Sequence, residues 1–572
     1  MMELKEGATQ HREERLPSVS SAAGVNGRRA STTEEVYWKL TAAVPDLPQL
    51  TSGAKAATHA EHNMTILEGV RLYPKAIGWS VLLSLAIVME GYDTILLNQF
   101  FALPAFTKHY GRPTGDGSHG ISTAWQSSLT NGAMVGEILG LFLNGIIAEK
   151  YGYRICMMCS LVGVVCFVFL AFFAVNLKML EAAEILCGIP WGVFQTLTTT
   201  YAAEVMPVAL RAYLTTYVNL CWITGQLVGS GILRGFVNNS TQWSYRIPFA
   251  LQWLWAIPIL IGVCFAPESP WWLVRHGRHE ETKRSLIRLT SKTNTVFNVD
   301  ETVAMMRHTH ELEKTVSLGD SYLDCFKGVA LRRTEIACMS WIIQAFCGSP
   351  LFLYSAYFYV QTGLTTDEAF DISIGQYALG FTANVLAWGL IRVCGRRTLY
   401  LWGLGVMFII LMVIGGIATH PDNPSISWAT ASLILVFTFV YDLTIGPVCF
   451  SLVPEIPSTR LRIKTVVLAR VAYNIAILIA NILMPKMLNP TAWNWKGKAG
   501  FFWAATCFLC FVWAYFRLPE PKGLTYCELD ILFEHRANAR KFHRFQVILE
   551  ASGYFCVTSA EDGRNSSVDF IG

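Results

Sequence analysis

Charge is scarce in this sequence. Asp, Glu, Lys and Arg make up 15% of its 572 residues, where soluble globular chains carry about 25%. The shortfall argues against a soluble fold and for a chain that lives in lipid. The formal net charge is only +4, and no basic stripe with interleaved aromatics appears, so nucleic acid is not an expected partner. Nothing reads Gly-x4-Gly-Lys-Ser/Thr, which excludes an ATP-driven pump built on a phosphate-binding loop. The 15 Cys show neither paired zinc spacing nor a secreted disulfide pattern. Cys156, Cys159, Cys166, Cys187, Cys221, Cys507 and Cys510 lie in apolar runs and read as packing thiols. No catalytic triad or metal set stands out, so no enzyme, metal or cofactor is expected. Histidine is missing from the middle of every apolar run, which removes a histidine proton relay. Residues 1–70 are polar, so no signal peptide is expected there.

What is present is long apolar runs. Hydrophobic residues form 53% of the chain, mean hydropathy is +0.38, and 18 Trp and 33 Phe suit helices with aromatic ends in a bilayer. Runs of about 20 residues, each able to cross roughly 30 Å of hydrocarbon, fall at 77–100, 127–148, 155–175, 179–202, 213–233 and 247–266. Six more fall at 336–360, 372–392, 398–418, 427–451, 463–487 and 499–517. The predicted fold is all-α: twelve transmembrane helices in two six-helix bundles, 77–266 and 336–517. A helical linker spans 267–335, and polar tails occupy 1–76 and 518–572, the first read as disordered.

Basic residues at the span ends set the orientation. Arg154, Arg211, Arg275, Arg396, Arg397 and Arg462 all fall in loops on one side. That side is expected to be cytoplasmic, with both tails on it. Lys108 and Arg112, in the first external loop, are a mild exception. The two bundles also look like copies. Glu204, Pro207 and Arg211 recur as Glu455, Pro457 and Arg462, with the acids 251 residues apart. Pro267-Glu268 recurs 252 residues later as Pro519-Glu520, and Gly152-Tyr153-Arg154 recurs 243 later as Gly395-Arg396-Arg397. Parallel six-helix repeats place a ligand site at mid-membrane between halves that rock.

Charges inside the runs are costly, roughly 2.5–3.5 kcal/mol each on insertion scales. Glu90 and Asp93 share one face of the first helix, Glu137 lies in the second, Asp442 in the tenth and Arg470 in the eleventh. A bland reading is that acids and arginine pair to hold helices together. In-span amides and hydroxyls are Gln195, Asn219, Gln226, Gln344, Tyr354, Asn384 and Asn474. Each is open to use as an interhelical hydrogen bond worth about 0.6 kcal/mol. Asn238-Asn239-Ser240-Thr241 holds two overlapping glycosylation acceptors, Asn238 and Asn239, in a short loop expected outside.

Over about 75–535 the chain resembles the sugar porter family of the major facilitator superfamily. The resemblance rests on Gly91-Tyr92-Asp93, on Gly145 through Arg154, and on Glu204 through Arg211. It rests equally on Pro267-Glu268-Ser269-Pro270, Gly395-Arg396-Arg397, Glu455 through Arg462, and Pro519 through Thr525. Glu90-Gly91-Tyr92-Asp93-Thr94 and Gly188-Ile189-Pro190-Trp191-Gly192 are similar to fungal α-glucoside (maltose) permeases.

The resemblance implies a monomeric plasma-membrane symporter that imports a sugar, such as maltose, with a proton. Asp93 would be the main proton carrier and Arg470 its counter-charge, because burial raises a carboxylate's pKa and a nearby cation lowers it. Glu90 and Glu137 would be secondary members. Gln344 falls on the family's helix-seven glutamine; Gln195, Asn219, Gln226, Tyr354, Asp442 and Asn474 complete the expected sugar pocket. Asp442 is equally readable as a packing residue. Glu149, Arg154, Glu204, Arg211, Glu268, Arg396, Arg397, Glu455 and Arg462 would pair across the cytoplasmic mouth as a gate. The sequence departs from the family at Glu184 (usually Arg), Ala345, Pro350, Asn219, Phe450 and Arg392. Hexose specificity is therefore not implied. A sugar sensor, a passive facilitator, and carriage of sucrose, cellobiose, lactose or a hexose remain open at this stage.

Overall fold

A long apolar stretch in lipid must satisfy its own backbone hydrogen bonds, and the helix does so within one segment. The computed structural model describes residues 57, 60–61 and 64–542, apart from 114–118, 292–297, 317–320, 362, 421–423, 459–460, 490–491, 523–528, 530–531 and 534–535. The tail reading for 1–56 and 543–572 lies outside the described residues, as does the motif end Gly523-Leu524-Thr525.

Among the described residues, twelve long rods form the bundle. The first six are α1 (Pro74–Phe100), α2 (Thr123–Tyr151), α3 (Tyr153–Phe172), α4 (Leu177–Val205), α5 (Val208–Phe236) and α6 (Trp243–Ala250 with Gln252–Phe265). The second six begin with α7 (Gly328–Phe346, continued by Pro350–Leu353 and Ser355–Gln361) and α8 (Thr366–Val393). They end with α9 (Arg396–Ile417), α10 (Pro424–Leu443 with Ile445–Glu455), α11 (Arg462–Leu488) and α12 (Ala499–Arg517). Among the described residues, nine helices are long and apolar enough to cross a membrane on those grounds alone. The other three rods are α4, α5 and α7. α7 is broken after Phe346 and carries Arg332, Arg333 and Glu335 near its start, and α4 and α5 are rich in hydroxyls and amides. The hydroxyls of Thr198 and Thr200 on α4, for example, donate to carbonyls four residues back at 2.7 Å each.

Packing repeats with the sequence. In the first half α1 packs on α5, α2 on α4 and α3 on α6; in the second half α7 packs on α11, α8 on α10 and α9 on α12. The halves meet through α2 with α11 and through α5 with α8, a pair of contacts that the same repeat relates. Small residues permit the close approach. A Cβ on Gly91 would stand 2.2 Å from the Trp222 carbonyl of α5.

Three stretches differ from the sequence reading. Residues 66–72, placed in the disordered tail, form a helix, because Thr65 and Glu68 make a capping box and Leu72 is buried. The run 336–360 breaks after Phe346, where Gly348 takes φ +109 and Pro350 restarts the chain. The run 427–451 breaks at Thr444, since Pro447 has no N–H to close onto the Leu443 carbonyl. Broken backbone is tolerated at membrane depth where it lines a cavity, and Ser349 and Phe450 both do. Between the halves, residues 267–335 hold the helices Pro270–Arg275, His279–Leu289 and Val299–Val316 and a 3-10 turn, Tyr322–Phe326.

Candidate functional site

A pocket opens at the seam of the halves. It holds about 1000 Å³ of non-atom space, the open space at its mouth included. Its walls come from α1, α4 and α5 and from their repeat partners α7, α10 and α11, with α2 completing them. Trp191, Trp222, Trp341 and Phe450 supply ring faces; Asp93, Glu137, Asn219, Gln226, Gln344, Asp442 and Arg470 supply polar groups.

Beside this pocket lies a cluster of buried charge centred on Gln195. Its Nε2 donates to Glu90 Oε1 and, at 2.9 Å, to Glu137 Oε2. Its Oε1 accepts from Arg470 Nε at 2.6 Å. Asn474 Nδ2 adds a second donor to Glu137 Oε2 at 2.9 Å. Glu90, Glu137 and Arg470 are 0%, 1% and 4% exposed, so this one amide carries interactions that water would otherwise supply. The guanidinium also stacks on Tyr473 at 4.3 Å and Trp341 at 4.4 Å.

Asp93 stands apart from that cluster. Gln252 Nε2 on α6 donates to its Oδ1 at 2.6 Å, and Glu184 lies beside it. The cation expected to face Asp93 therefore faces Glu137 and Glu90, reaching them through Gln195. Gln252 was missed by the sequence reading. Its only signal was a glutamine inside the run 247–266.

The expected sugar ligands divide in two. Asn219, Gln226, Gln344 and Asp442 line the pocket. Gln344 Nε2 also donates to the Gly446 carbonyl at 3.1 Å, beside the break in α10. Gln195, Tyr354 and Asn474 are turned to other partners. Gln195 and Asn474 belong to the charge cluster. The Tyr354 hydroxyl reaches Thr130 Oγ1 at 3.3 Å across the seam.

The halves touch on both sides of the pocket. On the side away from residues 267–335, Arg234 of α5 binds Asp367 and Asp371 of α8, each at 2.6 Å, and Ser127 Oγ donates to the Asn481 carbonyl at 3.0 Å. On the other side Trp388 Nε1 donates to Thr216 Oγ1 at 3.0 Å, and Lys464 meets Glu149 at 3.6 Å.

The charges read as a gate form two repeat-related nets, one centred on Glu204 and Glu268 and the other on Glu455 and Glu520. Glu268 accepts from the backbone N–H of Tyr153 at 3.0 Å and Arg154 at 3.2 Å; Glu520 accepts from those of Arg396 at 2.9 Å and Arg397 at 3.0 Å. Each carboxylate thus caps the N-terminus of a helix, where the helix dipole favours negative charge. Tyr153 and Arg396 in turn donate to Glu204 and Glu455 at 3.1 and 3.2 Å. Glu204 pairs with Arg275 at 2.9 Å, and Arg211 Nε donates to the Ala203 carbonyl at 3.2 Å. Arg462 is buried, at the first turn of α11. Arg396–Glu455 lies within the second half and Glu204–Arg275 ties α4 to the linker, while across the mouth Glu149 meets Lys464 and Arg211 of the first half lies close enough to Glu455 of the second to act on its charge. Burial pushes the Glu268 carboxyl above its ordinary range, and the N–H groups of Ser269, Arg154 and Tyr153 pull it back. Gly152 takes φ +93, and a Cβ there would stand 2.5 Å from Glu268 Oε2, so the turn into α3 requires glycine. Asn238 is exposed just beyond α5; Asn239 Oδ1 accepts from Thr241 N at 2.9 Å.

Fold and site define a helical membrane carrier with a polar pocket between two repeated halves. The chain belongs to the sugar (and other) transporter family, whose model matches residues 79–533, and so to the sugar porters of the major facilitator superfamily. It is 42% identical over 511 residues to a maltose permease of Saccharomyces cerevisiae, covering 88% of this chain and 83% of the relative. A general alpha-glucoside permease of the same yeast is 40% identical over 497 residues, covering 86% of this chain and 80% of the relative. Among solved structures the proton:xylose symporter XylE bound to 6-bromo-6-deoxy-D-glucose aligns at TM-score 0.68 and 21% identity, over 81% of this chain and 99% of that one. That likeness establishes the shared fold.

Proposed function

We propose that this sugar transporter imports an α-linked glucose disaccharide, with maltose as the type, together with a proton. The carrying observation is the placement of three buried acids and one buried arginine around a pocket with ring faces and amides. Sugar hydroxyls both donate and accept, so amides suit them, and the rings offer apolar faces. The substrate class follows the permeases that share about two-fifths of its residues over most of its length.

In this reading Glu90, Asp93 and Glu137 hold the travelling proton. Arg470, acting through Gln195, favours the ionised forms of Glu90 and Glu137 when it is close and releases them when the halves move, while Gln252 holds Asp93. Asn219, Gln226, Gln344 and Asp442 hold the sugar. The two helix-capping nets keep each half rigid at the side of residues 267–335, which is assigned to the cytoplasm. Breaking Glu149–Lys464 belongs to opening there. Both tails face the cytoplasm of a cell whose plasma membrane carries the protein as a monomer, and Asn238 or Asn239 is available for glycosylation outside.

The test is uptake of labelled maltose, sucrose, cellobiose, lactose and glucose in yeast stripped of its own sugar carriers. Maltose uptake, competed by other α-glucosides, is expected. Uptake of β-linked sugars alone would overturn the substrate assignment, and no uptake with intact sugar signalling would make the chain a sensor.

A further inference from the structure

Three acids line the pocket: Glu137 is held by Gln195 and Asp93 by Gln252, and Asp442 is held by neither the charge cluster nor a glutamine of its own. It lies on α10, is 4% exposed, and lines the pocket wall. Among the described residues no hydrogen bond or ion pair reaches its carboxyl. An unpaired carboxylate at that depth is costly. A donor bound in the pocket would relieve that cost.

The surroundings are shaped around it. Gly380 of α8 leaves room: a Cβ there would stand 2.5 Å from Asp442 Oδ2. Gly446 of α10 leaves room on the other side, where a Cβ would stand 3.4 Å from Asp442 Oδ1 and 3.1 Å from Asn219 Nδ2. Asn219 belongs to α5 in the opposite half, and its buried Nδ2 has no acceptor. An unpartnered acceptor from one half and an unpartnered donor from the other thus flank a single glycine, both on the pocket wall.

We propose that Asp442 and Asn219 together seat one pair of vicinal ring hydroxyls of the sugar. The two carboxylate oxygens accept from adjacent hydroxyls, and the Asn219 amide donates to one of the same oxygens. Hydroxyls serve because each donates and accepts at once. The seat spans the seam, so a bound sugar ties the halves together and is read by both. It rests on the sugar-transport reading and adds to it a specificity-determining carboxylate.

The test uses the full-length protein in carrier-deficient yeast, with surface delivery followed by a fluorescent tag. The probe is the sugar that the wild type carries, together with its singly deoxygenated analogues. In the wild type, two analogues lacking adjacent hydroxyls should bind about tenfold more weakly, the cost of stranding a charged acceptor. Asp442→Asn should raise KM for the parent sugar by a similar factor, lose the discrimination against those two analogues, and keep proton movement per sugar. Gly380→Ala, which crowds the carboxyl without removing it, should also raise KM. Wild-type discrimination in Asp442→Asn, or unchanged KM in Gly380→Ala, would overturn the seat while leaving the transport reading intact. Failure of the wild type to carry any sugar would overturn both.

Discussion

Arg470 donates to the Gln195 amide oxygen at 2.6 Å, and the same amide's nitrogen donates to Glu137 at 2.9 Å and to Glu90. The buried cation therefore acts on the two acids through a neutral intermediary. An amide offers one acceptor and two donors, and all three are used here. The arrangement explains how one arginine serves two carboxylates, and why those acids need not sit in direct ion pairs.

Gln195→Leu should break the cluster at its centre. It leaves Glu90 without a donor, Glu137 with Asn474 alone and Arg470 without the Gln195 acceptor, each lost bond worth about 1.5–3 kcal/mol. Sugar accumulation should fall at least about tenfold, and the pH dependence of uptake should shift, while passive exchange of sugar persists. An unchanged pH profile in a variant that reaches the membrane would remove Gln195 from the coupling machinery.

Asp93→Asn should abolish accumulation against a gradient while sparing membrane delivery and sugar counterflow. Asparagine keeps the acceptor that Gln252 uses at 2.6 Å but cannot carry a proton. Full pH-dependent accumulation in that variant would refute a proton-carrying role for Asp93.

The pair of Arg234 with Asp367 and Asp371 joins the halves on the side of the pocket away from residues 267–335. Arg234→Gln should make that side open more often. A cysteine placed at Asn98, on the pocket wall, should then react severalfold faster with an impermeant maleimide. High salt should produce part of the same effect in the wild type, because the pair is partly exposed.

The two helix-capping turns should differ in tolerance. A Cβ at Gly152 or at Gly395 would crowd the capping carboxylate, at 2.5 Å from Glu268 Oε2 and 2.1 Å from Glu520 Oε2. Only Gly152 also needs a positive φ, which adds about 1–3 kcal/mol of strain for alanine. Gly152→Ala should therefore lower thermal stability in detergent more than Gly395→Ala; the reverse order would contradict the turn geometry.

Much of the fold was legible because apolar runs and repeated motifs are local signals. The offsets of 251 and 243 residues marked the nets at Glu204 with Glu455 and at Tyr153 with Arg396 before their geometry was known. Glu90, Glu137 and Arg470 stood out because charge in an apolar run is costly. Their connections were not legible. Gln195 bonds to residues 105, 58 and 275 positions away, and an in-span amide has no local feature that separates a bridge from a sugar ligand. Arg275 finds Glu204 only because residues 267–335 fold back against α4. The break in α7 was hidden because residues 336–360 stay apolar across Gly348 and Pro350.

The central claim is that sugar and proton enter together. Its most direct measurement records labelled maltose uptake and external pH at once, in lightly buffered suspensions of carrier-deficient yeast expressing the chain. The account predicts that adding maltose alkalinises the medium in step with uptake. It predicts no alkalinisation with Asp93→Asn, even while counterflow continues. Maltose uptake at the wild-type rate with a flat external pH would contradict it.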